Sequence, residues 1–458
     1  MIQEEKQMTK HEILNKLLIK PKSLELTGGD YTHNAKAEIY TNVESDISYL
    51  LSLAGFENNA EKVFYDVDGL YILSIGKKEP QDTDLIFVND EEYYMEIGEN
   101  SVYIAGPNEA AMLLGLKAFI RMSEELGTLP QMKIEDYPDI PFRTVHTCIF
   151  RPDDGTDKEK TAPEDLKAMI KNAAIAGYNH IIIEFWGMFP YKNEWAHWPE
   201  AYTREQVEDV VSYAIDKMHI IPIPDQNLTS HAAWSRISSR QHVVLDQRPD
   251  LDYLYIPGGW CFSTEDQRVK DFITSCMDEL IEVFRNPPYF HCGCDKCFGF
   301  GSGEEDRMTS ADILFAKHIS FLNTYLAHKN IRMVMWGDML YCSMDALYWK
   351  CSENTANYIP RNVLINIWTH NNPGRNWQDA SFFEDKGFET VYSPFMQEAS
   401  IESMVEVCRE RGSHGIVQTT WHRPQSAVPY VILSGTLQWC GKKPDAELVA
   451  AHAEKWYN

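Results

Sequence analysis

Long apolar runs are missing from this sequence. No stretch reaches the roughly 18 apolar residues that a bilayer crossing needs, so no membrane partner is expected. Basic residues are scarce beside acidic ones, 42 Lys and Arg against 68 Asp and Glu, for a net charge of -26. A surface of that sign repels phosphate backbones and excludes nucleic acid as a partner. Cysteine is sparse, with 10 in 458 residues, too dilute for a disulfide scaffold; free thiols acting as small hydrophobes are expected. The opening "MIQEEKQMTKHEILNKLLIKP" has no basic-then-apolar secretory pattern and no small-residue cleavage site, which predicts a cytoplasmic protein. Repeats and low-complexity tracts are also absent. So is a glycine-rich phosphate loop, which counts against an open doubly wound nucleotide-binding sheet.

What is present is an ordinary soluble composition, 44% hydrophobic, with 12 Trp and 23 Tyr. The length suits two or three domains, or one large barrel with an accessory domain, and admits a homodimer. Up to about residue 135, short alternating runs ("GLYILSIGK", "DLIFVND", "EEYYMEIGENSVYIAG") read as strands and hairpins. "NEAAMLLGLKAFIRMSEELG" follows, opening on an Asn N-cap and closing on Gly, and reads as a helix. Residues 1–138 therefore form a small α+β domain, and the prolines of "LPQMKIEDYPDIPFR" suit an extended linker out of it.

From residue 139 to 458 the rhythm changes to eight strand-like runs separated by amphipathic segments. The runs are "TVHTCIF", "HIIIEFW", "IIPIPDQN", "YFHCGCD", "RMVMWGDM", "VLINIWTH", "TVYSPF" and "GIVQTTW". Thr203 and Thr264 are expected N-caps of two of the intervening helices. Eight alternating β and α units predict an α/β fold, a (β/α)8 TIM barrel, whose active site sits at the C-terminal ends of the strands. Those ends carry Glu184 and Trp186, Asp225 and Asn227, His291 with Asp295, Trp336 with Asp338, Trp368 with His370, and Trp421. Carboxylates do acid–base work and stabilise cationic transition states. Indole faces pack against the C–H surfaces of sugars. Recurring together at one level, they point to a carbohydrate-active barrel.

The stretch "PPYFHCGCDKCFGFG" also suggests a metal knot. Strand alternation argues otherwise: it puts Tyr289, His291, Gly293 and Asp295 on one face and Cys292 and Cys294 on the other. With Asp295 at the barrel mouth, those thiols turn toward the helices and cannot join His291 on a tetrahedral zinc. No metal and no cofactor are expected.

The chain resembles glycoside hydrolase family 20, the β-N-acetylhexosaminidases. "YFHCGCDK" is similar to the family's His-x-Gly-x-Asp-Glu signature, and "IEDYPDIPFR" to its approach to the first strand. "YTREQVEDVVSYAIDKMHIIPIPDQNLTSHAAW" resembles its third unit, and "VMWGDM" its fifth-strand tryptophan region. The resemblance implies recognition of a terminal β-linked N-acetylhexosamine (GlcNAc or GalNAc) in an amino-sugar glycoside or oligosaccharide. It implies substrate-assisted hydrolysis, in which the sugar's own 2-acetamido oxygen attacks the anomeric carbon. Asp295 would orient that group, with Arg143, Glu184, His231, His291, Trp336, Asp338, Trp368 and Trp421 around the sugar. His291 would be a strut beneath the site.

Three places depart from the family pattern, one of them the third-strand Glu-x-Asp, which here reads "PIPDQN". Lys296 stands where the resemblance implies the acid/base glutamate, and Gly187 stands where an acidic residue precedes "MFPY". A lysine with a reference pKa of about 10.4 is poorly matched to acid–base work near neutral pH. Glu184, Asp225 and Asp338 are the carboxylates that remain as replacement acids. The alternative is a sugar-binding protein whose catalysis is impaired.

Overall fold

The computed structural model describes residues 8–57, 60–62, 69–78, 84–149, 151, 161–235, 240–304, 306, 308–341, 353–368, 376–421 and 424–456. Its first unit is a seven-stranded sheet in the order β1-β7-β5-β6-β4-β2-β3. The strands are β1 (Ser23–Asp30), β2 (Ile39–Thr41), β3 (Ala60–Lys62), β4 (Tyr71–Ile75), β5 (Tyr93–Ile97), β6 (Val102–Gly106) and β7 (Pro130–Asp136). The helix read from residues 108–127 is Glu109–Leu126. Asn108 accepts the Ala111 N–H at its start, and Gly127 (φ 71) stops it. That helix is buried on nearly every side, because it packs on β5 and β6 and also reaches the barrel, where Arg121 Nη1 donates to the Ile175 carbonyl (3.0 Å).

Two readings of this unit need correction. "DLIFVND" forms no strand: Leu85 and Phe87 pack on a small apolar cluster, while Ile86 and Val88 face solvent. The stretch read as a linker divides in two. Pro130–Asp136 is β7, paired with both β1 and β5, and only the residues up to Pro141 connect the units. Alternation at Met132, Ile134 and Asp136, all buried, outweighs the flanking prolines.

The second unit is a closed barrel of eight parallel strands, one from each predicted run. They are β8 (Phe142–Cys148), β9 (His180–Glu184), β10 (Ile221–Asp225), β11 (Tyr289–His291), β12 (Arg332–Trp336), β13 (Leu364–Trp368), β14 (Thr390–Ser393) and β15 (Gly415–Thr420). One side chain per strand fills the lower interior: Phe142, Ile182, Ile223, Tyr289, Val334, Leu364, Val391 and Val417. This apolar plug makes the barrel a packed core rather than a channel. Thr203 caps its helix as expected, accepting the Gln206 N–H (3.2 Å). Thr264 does not: the helix Gln267–Val283 is capped by Asp266, whose carboxylate accepts the Arg268 N–H (2.8 Å). Among the described residues, no helix is long and apolar enough to cross a membrane.

Candidate active site

Two residues beyond the apolar plug, the same inward faces turn polar. Ile182 gives way to Glu184, Ile223 to Asp225, Tyr289 to His291, Val334 to Trp336 and Leu364 to Asn366, as period-two alternation requires. β8 contributes His146 and Cys148 by the same parity. These side chains touch. Glu184 Oε1 accepts from Asn227 Nδ2 (2.6 Å), while its Oε2 accepts from the Cys148 thiol (3.2 Å) and lies 3.3 Å from His146 Nε2. Asp225 stands 3.6 Å from the same His146 nitrogen and 3.2 Å from His291 Nδ1.

Charge in this floor is strongly correlated. Burial opposes a charged His146 ring, but the adjoining Cys148 sulfur and the Asp225 and Glu184 carboxylates outweigh it and hold the ring well above its ordinary pKa. Burial alone would raise the Asp225 carboxyl, but His291 and His146 hold it below the usual range. Burial pushes the Cys148 thiol up to about 12 against the pull of His146. Ring nitrogen, sulfur and carboxylate oxygen of His146, Cys148 and Glu184 lie within 4.8 Å of one another, the group among the described residues whose spacing suits a metal ion.

Above the floor lies the rim. Here β11 ends at His291, earlier than the run "YFHCGCD" suggests, and the chain turns through left-handed backbone at Gly293 (φ 66), Cys294 (φ 73) and Lys296 (φ 47). Gly293 is required twice over, since a Cβ there would also stand 2.2 Å from Asn227 Oδ1. Parity along 289–295 therefore does not position Asp295; the turn does. Asp295 is nonetheless buried at the mouth, its Oδ2 2.7 Å from Lys296 Nζ and 3.3 Å from His231 Nε2. Its backbone carbonyl accepts from Ser230, and the Lys296 carbonyl accepts from Trp260 Nε1 (2.7 Å).

Asp338, at the end of β12, closes the second side of this ion pair. Its Oδ2 accepts the Lys296 backbone N–H (2.9 Å) and its Oδ1 faces Trp368 Nε1 (3.4 Å). Burial would raise the Asp295 carboxyl, but the Lys296 ammonium and His231 hold it far below the usual carboxylate range. Burial also works against charge on Lys296, yet Asp295 and Asp338 raise it above an ordinary lysine, so the ammonium persists through neutral pH. For Asp338, burial and the Asp295 charge push the carboxyl up to about 6.

Indoles line the walls. Lys296 Nζ sits 4.6 Å from the Trp368 ring centroid, a cation–π contact. Trp336 stacks edge-on to His291 (4.7 Å), and Trp421 lies 5.7 Å from Trp336 and 4.5 Å from His146. Trp186 and Trp260 hold His231 between them, at 5.4 and 4.4 Å. Gly187 (φ 76) has no room for an acidic side chain, since a Cβ would meet Val243 at 2.5 Å and the Trp234 carbonyl at 3.2 Å.

Of the residues expected at the site, Asp295, Lys296, His231, Asp338 and Trp368 gather at the rim, and Glu184, His291, Trp336 and Trp421 in or against the floor. Arg143 joins neither, which corrects its expected grip on the sugar. It is the second residue of β8, at the N-terminal end of the barrel, in register with Ile416, and of opposite parity to His146. Its buried guanidinium binds Glu91 through two bonds of 2.8 Å and donates to the carbonyls of Gly177 (2.7 Å) and Ile140 (2.7 Å). It ties the small unit to the barrel base. His370 lies outside the described residues. Cys292, Cys294 and Cys297 are fully buried free thiols; Cys294 Sγ faces Thr229. His146, Cys148, Ser230 and Trp260 escaped the sequence reading. Alternation along "FRTVHTC" would have found the first two and turned Arg143 away.

The chain is a closed (β/α)8 barrel with carboxylates and indoles crowding the C-terminal strand ends, preceded by a small α+β sheet. The sequence model for the glycosyl hydrolase family 20 catalytic domain matches residues 168–406, just over half of the chain, and the chain belongs to that family. The fold is similar to that of a β-N-acetylhexosaminidase from Bacteroides fragilis (TM-score 0.68, 17% identity, covering 95% of this chain and 93% of that one). It is likewise similar to a Flavobacterium johnsoniae chitobiase (0.70, 15%, 98% and 73%) and a Streptomyces plicatus N-acetyl-β-hexosaminidase (0.65, 14%, 97% and 95%). No curated protein matches the chain by sequence.

Proposed function

We propose that the rim recognises a terminal β-linked N-acetylhexosamine, with Asp295 orienting the 2-acetamido group. One observation carries this reading: a buried carboxylate held ionised at the mouth by His231 and Lys296, beside the Trp368 face. An ionised carboxylate accepts the acetamide N–H and stabilises the positive oxazolinium formed as the acetamide oxygen attacks the anomeric carbon and the glycosidic C–O bond breaks. The departing oxygen then needs a proton. Among the site carboxyls, Asp338 is the one pushed up to about 6, which suits a proton donor near neutral pH.

A second reading, a sugar-binding protein with impaired catalysis, is favoured by the Lys296–Asp295 contact of 2.7 Å. The ammonium partly neutralises the carboxylate that the cationic intermediate requires, and a lysine that stays charged cannot act as a base. Chromogenic β-GlcNAc and β-GalNAc glycosides offered to wild type, Lys296→Glu and Asp295→Asn separate the two readings. Silence in wild type with turnover in Lys296→Glu marks a disabled catalyst. Wild-type turnover that Lys296→Glu and Asp295→Asn both reduce marks a working one in which Lys296 participates.

A further inference from the structure

The floor raises a question that the rim does not answer. Two carboxylates and a thiol converge on one ring nitrogen: His146 Nε2 lies 3.3 Å from Glu184 Oε2, 3.6 Å from Asp225 Oδ2 and 3.9 Å from Cys148 Sγ. One nitrogen carries at most one proton, so this N–H cannot serve both carboxylates at once. Neither oxygen of the buried Asp225 carboxylate makes a well-formed hydrogen bond to a described residue, although two imidazoles stand beside it.

We propose that His146, Cys148 and Glu184 form a three-ligand site for a divalent transition ion of the zinc type, with the Asp225 carboxylate beside it, 3.6 Å from His146 Nε2. Ligand lengths of about 2.0–2.3 Å in a tetrahedron put nitrogen and oxygen donors about 3.3 Å apart, and sulfur about 3.5 Å from either. The separations here are 3.3 Å (His146 Nε2–Glu184 Oε2), 3.2 Å (Cys148 Sγ–Glu184 Oε2) and 3.9 Å (Cys148 Sγ–His146 Nε2). The donor set mixes imidazole, thiolate and carboxylate, which suits zinc, cobalt and their neighbours over magnesium or calcium. An outer shell is in place. Asn227 holds Glu184 by Oε1 and leaves Oε2 for the ion, and His291 flanks the Oδ1 of Asp225. Binding would displace the thiol proton. The site's metal titration reads ion binding alone and needs no sugar, so it can fail or succeed separately from the sugar reading.

Cobalt(II) is the probe, because a thiolate ligand gives it a charge-transfer band in the near ultraviolet. The full chain, stripped with chelator, is titrated to equilibrium with cobalt and then with zinc as competitor. One equivalent bound with that band is expected, with zinc displacing it. Cys148→Ser should abolish the band, and His146→Ala should weaken affinity at least ~10-fold to 100-fold. Both variants are checked in chelator for wild-type circular dichroism, and Cys148→Ser, which keeps the side-chain size, guards against loss of fold. Wild type without a stoichiometric cobalt band, or a band that survives Cys148→Ser, overturns the proposal.

Discussion

The floor and the rim of this barrel mouth are built by different means. Every floor side chain on a strand occupies an inward position of a regular parallel strand, an even number of residues past the apolar plug, so hydrogen-bond register fixes its height and direction. The rim stands on irregular backbone: Trp186, Gly187, His231, Gly293, Cys294 and Lys296 all have positive φ, between 43° and 76°. Such conformations cost on the order of 1–3 kcal/mol each for residues other than glycine and persist only where surrounding contacts dictate them. The floor therefore stands on regular backbone, and the rim is where backbone strain is held.

The sharpest way to break that contrast is at Gly293. Gly293→Ala adds a Cβ 2.2 Å from Asn227 Oδ1 in a left-handed turn, and should cost about 2–4 kcal/mol in denaturant unfolding. An effect below about 0.5 kcal/mol would mean the rim turn is not strained. Next comes Arg143→Met, which should cost about 2–3 kcal/mol, less than a fully buried pair because Glu91 keeps a quarter of its exposure. Sugar binding should be unchanged in this variant; a selective loss of binding would return Arg143 to the site.

The pH dependence of stability sharpens the rim's side of that contrast. Asp338 titrates near 6 in the folded protein against about 3.9 unfolded, so the folded state binds the extra proton between those values. Its contribution is fully present below the unfolded pKa and is lost as pH rises through about 6, a fall of about 2–3 kcal/mol. Asp338→Asn should remove that slope, read from unfolding curves at pH 4 to 7. Asp295 has the opposite sign: its depressed carboxyl stabilises above the unfolded pKa, and the gain is lost as pH falls. The smallest expected effect is Trp336→Phe, which keeps an aromatic face against His291 and should weaken sugar binding by about 0.5–1.5 kcal/mol.

The same contrast explains what was legible in the sequence. All eight barrel strands, the capped helix at 109–126 and the carboxylates at strand ends follow from hydrophobic period and caps, and those features are local. Arg143 is the exception: its motif context points to the sugar, but its odd offset from His146 on β8 turns it away from the mouth. Asp295 reached the mouth for a reason that strand alternation does not contain, a left-handed turn permitted by Gly293. The His146–Cys148–Glu184 convergence joins two strands, and spacing within one run does not reveal it.

The central claim, that Asp295 reads an acetamido group, is tested most directly by calorimetric titration. Wild type and Asp295→Asn would each be titrated with methyl β-glycosides of N-acetylglucosamine and of glucose. The account predicts that wild type prefers the acetamido sugar at least about 10-fold, as a hydrogen bond to a charged group is worth about 1.5–3 kcal/mol, and that Asp295→Asn erases the preference. Equal affinity for both sugars in wild type, or a preference that survives Asp295→Asn, would contradict it.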